Sequence, residues 1–183
     1  QSLDSTIQDY YSMGKGQIES LNGRKLHNLG FMGQGMTIAV LDAGFMNVDK
    51  IPAFKNLNIK GTRNFVAGYD NDVYKEMDHG TKTLSTIAMN QPTVFVGTAP
   101  KASFWLLRTE DYSTESSAEE DFWIAAVEFS DSVGVDVISS SLGYHGFDDK
   151  SMNYRYSDLN GRTAPISQAA SRLASKGIIL VNS

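Results

Sequence analysis

The segment MTIAVL, from Met36 to Leu41, constrains the fold more than any other part of the sequence. It is nearly continuous in apolar and β-branched residues, which is typical of strands buried on both faces of a parallel sheet. The run ends at Asp42-Ala43-Gly44, so an acidic side chain stands at the carboxyl end of a buried strand. Because open α/β sheets bind their ligands at that end, the segment predicts an α/β domain with a functional edge near residue 42.

Strands and helices alternate along the rest of the chain and are separated by short glycine turns. Helices are predicted over residues 21–29, 79–89, 117–133 and 165–176, a second buried strand over residues 102–107, and further strands over residues 135–139 and 178–181. Ser117 and Glu120 form an S-x-x-E capping box at the start of the third helix. Residues 45–78 are expected to be irregular. The alternation predicts an α/β fold with a doubly wound, mostly parallel sheet and helices on both faces.

Composition limits the number of domains and the kinds of partner. The 16 Lys and Arg residues against 21 Asp and Glu residues give a net charge of −5, which argues against nucleic acid and anionic membranes as partners. There is no cysteine for a disulfide or a thiolate metal site, and no apolar run approaches the roughly 20 residues that cross a bilayer. No linker or repeat divides the chain, so we expect one domain with a surface arm over residues 1–32 and a core over residues 33–183.

Two residues are the main candidates for chemistry. Asp42 either acts at the functional edge or caps its own turn. His79 begins a predicted helix, whose dipole favours the neutral imidazole that a general base needs, although beside Asp78 it could equally be a cap. We expect the other two histidines, His27 in a surface helix and His145 in a glycine-rich loop, to be solvated.

Four motifs follow one another on the predicted strands and helices. They are AVLDAG at 39–44, HGTKTLSTIA at 79–88, GTAPKA at 97–102 and DVISSSLG at 136–143. In this order they resemble the subtilases, the subtilisin-like serine proteases, over residues 33–183. The resemblance implies that Asp42 is the triad aspartate, that His79 is the general base, and that the backbone of Ser141, Leu142 and Gly143 pairs with an extended substrate. Such pairing is physically sensible, because main-chain hydrogen bonds hold a peptide while side-chain pockets select its sequence.

The resemblance also implies an activity and a location. The expected activity is that of a serine endopeptidase, which hydrolyses proteins or peptides through an acyl-enzyme and requires no cofactor. The expected location is secreted or extracytoplasmic, in a bacterium.

Two motifs of the family are absent from the 183 residues. These are the A-G-N turn, whose Asn donates to the oxyanion, and the GTSxAxP segment with the nucleophilic serine. Ser139, Ser140 and Ser141 fall on the substrate-binding strand and are not expected to replace that nucleophile. We therefore expect the N-terminal portion of one peptidase domain, incomplete in this chain, with the remainder supplied as a second chain after a cut near Ser183. The alternative is that the later residues were absent or disordered.

Two other functions remain open at this point. A catalytically dead subtilase-fold binding module predicts degraded triad positions in the absent half, whereas Asp42 and His79 are both present. A metal-dependent hydrolase could use Asp42, Asp49, Asp78 and His79, but no H-x-x-x-H or Asp-x-Asp spacing supports it. The segment 158–161, DLNG, has oxygen ligands at alternate positions that suit Ca²⁺, and it could equally close an Asx turn.

The segment after the strand ASFWLLRT is strongly acidic. Glu110 and Asp111 follow that strand, and Glu115, Glu119, Glu120 and Asp121 come next. In subtilases this segment borders the groove for the part of the substrate that precedes the cleaved bond. We expect a mild preference for Lys or Arg one to three residues before the residue in the main pocket, caused by long-range attraction.

Overall fold

The computed structural model describes residues 9–183. The strands are β1 (Thr37–Asp42), β2 (Asn58–Asn64), β3 (Asn90–Gln91), β4 (Phe95–Val96), β5 (Ser103–Arg108), β6 (Val137–Ser140) and β7 (Ile179–Asn182). The α-helices are α1 (Lys15–Ser20), α2 (Gly23–Asn28), α3 (His79–Ala88), α4 (Ala118–Ser132) and α5 (Pro165–Leu173). Single 3-10 turns cover Pro52–Phe54, Lys150–Met152, Tyr156–Asp158 and Ala174–Lys176. Within residues 9–183 no helix has both the length and the apolar character needed to cross a membrane.

Five strands form one parallel sheet in the order β2-β5-β1-β6-β7, and β3 pairs with β4 in a separate antiparallel ladder. β1 lies at the centre between β5 and β6, and all of its residues after Thr37 are buried. This position explains the continuous apolar run, because both faces of the strand are covered. α3 lies in the connection from β2 to β5, α4 in that from β5 to β6, and α5 in that from β6 to β7.

The core consists of one apolar layer on each face of the sheet. Leu84 of α3 packs with Val40 and Phe104 on one face. Trp123 of α4 packs with Leu41 on the other face, and α5 contributes to the same cluster. Neighbouring residues of β1 thus enter opposite layers, as the alternation of side chains along a strand requires. The predicted doubly wound α/β fold is confirmed.

The prediction of irregular structure over residues 45–78 is wrong where β2 forms. β2 is an edge strand with the sequence NIKGTRN, and its residues are exposed or half-buried. It therefore lacks the apolar pattern by which the central strands are recognised. Gly61 lets β2 lie against β5, because a Cβ at this position would lie 2.8 Å from Cη2 of Trp105 and closer still to its Cζ3.

The predicted capping box at the start of α4 is also wrong. Ser117 has φ −61° and ψ −17°, which is helical backbone, and its side chain makes no capping hydrogen bond. An N-cap side chain needs extended backbone to reach the free amides of the first turn. Glu120 instead accepts a hydrogen bond from the Tyr154 hydroxyl at 2.7 Å, so it holds the loop before α5 rather than the helix start.

The prediction that His27 is solvated is wrong, whereas His145 is exposed. His27 is 8% exposed. Its Nε2 lies 2.9 Å from the carbonyl oxygen of Thr98, and its Nδ1 lies 2.9 Å from the hydroxyl of Tyr11. Because a carbonyl only accepts, Nε2 donates to Thr98 and Nδ1 accepts from Tyr11. His27 thus fastens α2 to the segment that follows β4, and Tyr11 and Ile18 pack beside it against β4.

Candidate active site

Asp42 ends the central strand and is fully buried. Its Oδ1 accepts hydrogen bonds from the backbone amide of Ala43 and from Nδ1 of His79, each at 2.8 Å. Burial raises the pKa of Asp42 above its usual range, and these two hydrogen bonds oppose that rise. The carboxylate is therefore held away from water with an imidazole as its main polar partner.

His79 is the first residue of α3, and its side chain is 51% exposed. An ionised carboxylate can only accept, so Nδ1 carries the proton that it shares with Asp42. Nε2 is then the basic nitrogen of the neutral ring, and it has no hydrogen-bond partner within residues 9–183. The pair thus leaves one ring nitrogen free to exchange a proton with a bound molecule.

Gly80 allows α3 to approach β1 closely enough for this contact. A Cβ on Gly80 would clash with the carbonyl oxygen of Gly44 and would lie 2.9 Å from Cβ of Asp42 and from Cε1 of Phe45. Thr81 fixes the same turn, since its hydroxyl donates to the carbonyl of Met46 at 2.9 Å. The glycine after the histidine is therefore required by the packing between helix and strand.

The segment Ser141–Gly143 continues from β6 at the same edge of the sheet as Asp42. Ser141 is half-buried, Leu142 is buried and Gly143 is exposed. The backbone groups of these three residues form no hydrogen bond within the described part of the chain, because the ladder between β6 and β7 ends at Ser140. A polypeptide strand could therefore pair with them.

A cavity of about 280 Å³ opens beside this segment. Its lining is mainly apolar and comes from Trp123, Leu142, Gly143, Tyr144, Ile166, Ser167, Ala170, Leu180 and Asn182. Trp123 also supports the end of β6, because its Nε1 donates to the buried hydroxyl of Ser140 at 3.0 Å. Another cavity of about 430 Å³ lies between α4 and α5. Neither cavity is lined by Asp42 or His79, but only the smaller one borders the unpaired segment, through Leu142 and Gly143, so we associate the smaller cavity with that segment.

The metal-dependent alternative gains no support from residues 9–183, where no group of three or more acidic or histidine side chains is arranged to hold a metal ion. Asp78 pairs with Lys82 at 2.8 Å on the outside of α3. In the segment considered for Ca²⁺, Asp158 accepts from the amide of Arg155, and Asn160 accepts from the amides of the two residues that close its turn.

A buried aspartate hydrogen-bonded to Nδ1 of a half-exposed imidazole is the geometry of the aspartate and histidine in a serine-hydrolase triad. Here it lies at the carboxyl edge of a parallel α/β sheet, beside an unpaired strand segment and an apolar cavity. The chain belongs to the subtilase family, whose model matches residues 33–183.

Curated relatives agree with this assignment, and a solved structure shares the fold. Subtilisin E of Bacillus subtilis is 31% identical over 127 residues, which are 69% of this chain and 32% of the relative. Subtilisin Savinase of Lederbergia lenta is 29% identical over 166 residues, which are 90% of this chain and 52% of the relative. The crystal structure of MycP1 without its N-terminal propeptide superimposes with a TM-score of 0.63 at 22% identity, over 90% of this chain and 47% of that one. The chain thus spans about a third to a half of the length of these relatives.

Sequence reasoning did not single out Tyr144 or Thr109 at this edge. The amide of Thr109 donates to the backbone oxygen of Asp42 at 3.0 Å, and Tyr144 follows Gly143 directly. The one sequence feature that points to these two residues is their position, because each follows the carboxyl end of a strand that flanks β1.

Proposed function

We propose that this chain supplies the aspartate and histidine of a subtilisin-type serine endopeptidase. Asp42 is the triad aspartate and His79 is the general base. The observation that carries the proposal is the 2.8 Å contact between the fully buried carboxylate and the half-exposed imidazole, in a chain of the subtilase family. The nucleophilic serine and the oxyanion donor come from a part of the protein outside these 183 residues.

In the proposed mechanism, Nε2 of His79 takes the proton of the serine hydroxyl as the serine oxygen bonds to the scissile carbonyl carbon. Asp42 holds the ring in the tautomer that leaves Nε2 basic and stabilises the imidazolium that forms. His79 then gives the proton to the leaving amine as the peptide bond breaks. Nε2 then takes a proton from water as the water oxygen bonds to the acyl carbon, and it returns that proton to the serine oxygen as the acyl–serine bond breaks, which releases the acid and restores the enzyme.

The proposed substrate is an extended peptide that adds a strand beside Ser141, Leu142 and Gly143. The unpaired backbone of this segment and the cavity next to it support this mode of binding. Because most of the lining is apolar, we expect the cavity to take an apolar or aromatic side chain of the residue before the cleaved bond.

Inhibition of the full-length protein tests the reaction class. We expect a serine-directed phosphonate to label the protein and to stop peptide hydrolysis, and a chelator to leave hydrolysis unchanged. Asp42→Asn should still fold but should label far more slowly, whereas Asp78→Asn, outside the pair, should label like wild type. A properly folded protein that neither labels nor hydrolyses any peptide would favour the binding module instead.

Two further expectations belong to this proposal. Supply of the serine by a second chain predicts two polypeptides when the mature protein is denatured, and one polypeptide of full length would contradict it. Location outside the cytoplasm predicts that the protein is recovered from the extracytoplasmic fraction of its cells.

A further inference from the structure

The segments that follow β5 and β6 meet above the carboxyl end of β1. Thr109 donates its amide to the backbone oxygen of Asp42 at 3.0 Å, and Glu110 is the next residue. Tyr144 comes from the other side, immediately after Gly143, and its hydroxyl lies near the Glu110 carboxyl without forming a well-aligned hydrogen bond. Glu110 is half-buried, and the hydrogen bond from its neighbour Thr109 holds it at the end of β1 that carries Asp42. Glu110 therefore lies at the same edge of the sheet as the candidate site.

Glu110 lacks a permanent positive partner. No Lys or Arg within residues 9–183 forms an ion pair with its carboxylate. The neighbouring guanidinium of Arg108 stacks on the ring of Tyr69 at 4.3 Å and reaches only the backbone oxygen of Glu110, through Nε. A half-buried carboxylate without a cation is unfavourable, so a ligand that supplies one would be stabilised there.

Asp111, the other acidic residue that follows β5, is already engaged. Its Oδ1 accepts from the amide and the hydroxyl of Ser113 at 3.1 and 2.7 Å, and both of its oxygens lie 3.2 Å from the hydroxyl of Tyr69. Of the two, Glu110 alone keeps a carboxylate without a well-aligned hydrogen-bond donor or a cation within residues 9–183, at the edge of the sheet that carries Asp42. A single contact with Glu110 is therefore a better explanation for a preference for Lys or Arg than long-range attraction by the whole acidic segment.

The geometry of an extended peptide indicates which substrate side chain reaches Glu110. The cavity beside Leu142 lies between β6, β7 and α5, whereas Glu110 lies across β1 on the β5 side. Successive side chains of a strand point to opposite sides. If one side chain of the peptide enters the cavity, the side chain of the residue just before it points to the other side of the peptide, and the proposal takes Glu110 to lie on that side.

We propose that Glu110 is a specificity-determining residue, which binds the ammonium or guanidinium group of a Lys or Arg immediately before the cavity-filling residue of the substrate. This inference rests on the proposed peptidase function. The contact is a charge-assisted hydrogen bond in a partly desolvated site, so we expect about a tenfold effect on kcat/KM.

Paired peptides test the proposal in the full-length protein. The peptides are identical except for Lys or norleucine before the cavity-filling residue. We expect wild type to cleave the Lys peptide about tenfold faster in kcat/KM, and we expect Glu110→Gln to bring the ratio close to one. Asp111→Asn is the matched control and should keep the wild-type ratio. A ratio near one in active wild type, or an unchanged ratio in Glu110→Gln, would overturn the proposal while leaving the peptidase function intact.

The pH dependence of that ratio is a second readout. Burial raises the pKa of Glu110 to about 7. The charges of Asp42 and Glu115 add to that rise, whereas Tyr144 and His79 oppose it. Burial also raises the pKa of the nearby Glu119 to about 7. The carboxylate is ionised only above its pKa, so the ratio should rise from about pH 6 to about pH 8 in wild type and stay flat in Glu110→Gln. A ratio that disappears at about 0.5 M salt would contradict a direct contact, because screening mainly affects long-range attraction. Failure to cleave any peptide would overturn the peptidase function and this proposal together.

Discussion

Gly80→Ala tests whether the close approach of α3 to β1 positions His79. The added Cβ would clash with the carbonyl oxygen of Gly44 and lie 2.9 Å from Cβ of Asp42. Neither backbone can move freely, because β1 is the central strand and Phe45 beside it is fully buried. We estimate that the first turn of α3 must shift by about 1 Å to restore van der Waals contact.

That shift sets the size of the expected effects. A displacement of about 1 Å at a catalytic group costs about a hundredfold in rate. Overpacking of the same kind lowers the free energy of unfolding by about 1–3 kcal/mol, against a gain of only about 0.5–1 kcal/mol for alanine over glycine in a helix. We therefore expect a net loss of stability and a loss of about a hundredfold in kcat/KM.

The assay combines peptide hydrolysis with thermal unfolding of the full-length protein. The matched control is Gly16→Ala in α1, where a Cβ would meet no atom within 4 Å. This control should keep full activity and should not lose stability. If Gly80→Ala kept wild-type activity and stability, then the start of α3 would not depend on the absence of a Cβ at position 80, and the reasoning would be refuted.

Three further changes follow from single contacts. Trp123→Phe removes the donor to the buried hydroxyl of Ser140 and should lower the free energy of unfolding by about 1–3 kcal/mol in urea titration; an unchanged midpoint would contradict this. His27→Phe removes the hydrogen-bond partner of the Tyr11 hydroxyl and of the Thr98 carbonyl, so it should also lower the free energy of unfolding by about 1–3 kcal/mol. The same substitution at the exposed His145 should leave that free energy unchanged. Burial raises the pKa of Glu119 to about 7, so between about pH 4.5 and pH 7 the folded chain keeps a proton that the unfolded chain has lost. The free energy of unfolding should fall as pH rises through that window, and Glu119→Gln should reduce the slope; equal slopes would count against it.

The sequence predicts the strands that carry a continuous apolar run. β1 and β5 carry such a run because helices cover each side, and the edge strand β7 also carries one although its residues are mostly exposed, whereas β2 was missed because most of its residues are polar. Long-range contacts explain the other errors. Glu120 accepts a hydrogen bond from Tyr154, 34 residues further along the chain, instead of capping α4, and no local sequence pattern predicts that contact.

The same distinction holds at the candidate site. The motifs indicate Asp42 and His79, and the structure joins them through a contact that needs the glycine following His79. The proximity of Glu110 to Tyr144 depends on two loops that meet above β1 and have no sequence signature. Motifs therefore indicate the aspartate and histidine of the candidate site, while the groups around them can be identified only from the tertiary structure.

The turnover number of the full-length protein with His79→Ala tests the account most directly. Its control is His145→Ala, which replaces an exposed histidine outside the site. We expect His79→Ala to lower kcat by about a millionfold, the loss that a subtilisin suffers without its histidine, and to leave the unfolding temperature nearly unchanged because the side chain is half-exposed. Near-wild-type kcat in His79→Ala, with normal folding, would contradict the assignment of His79 as the general base.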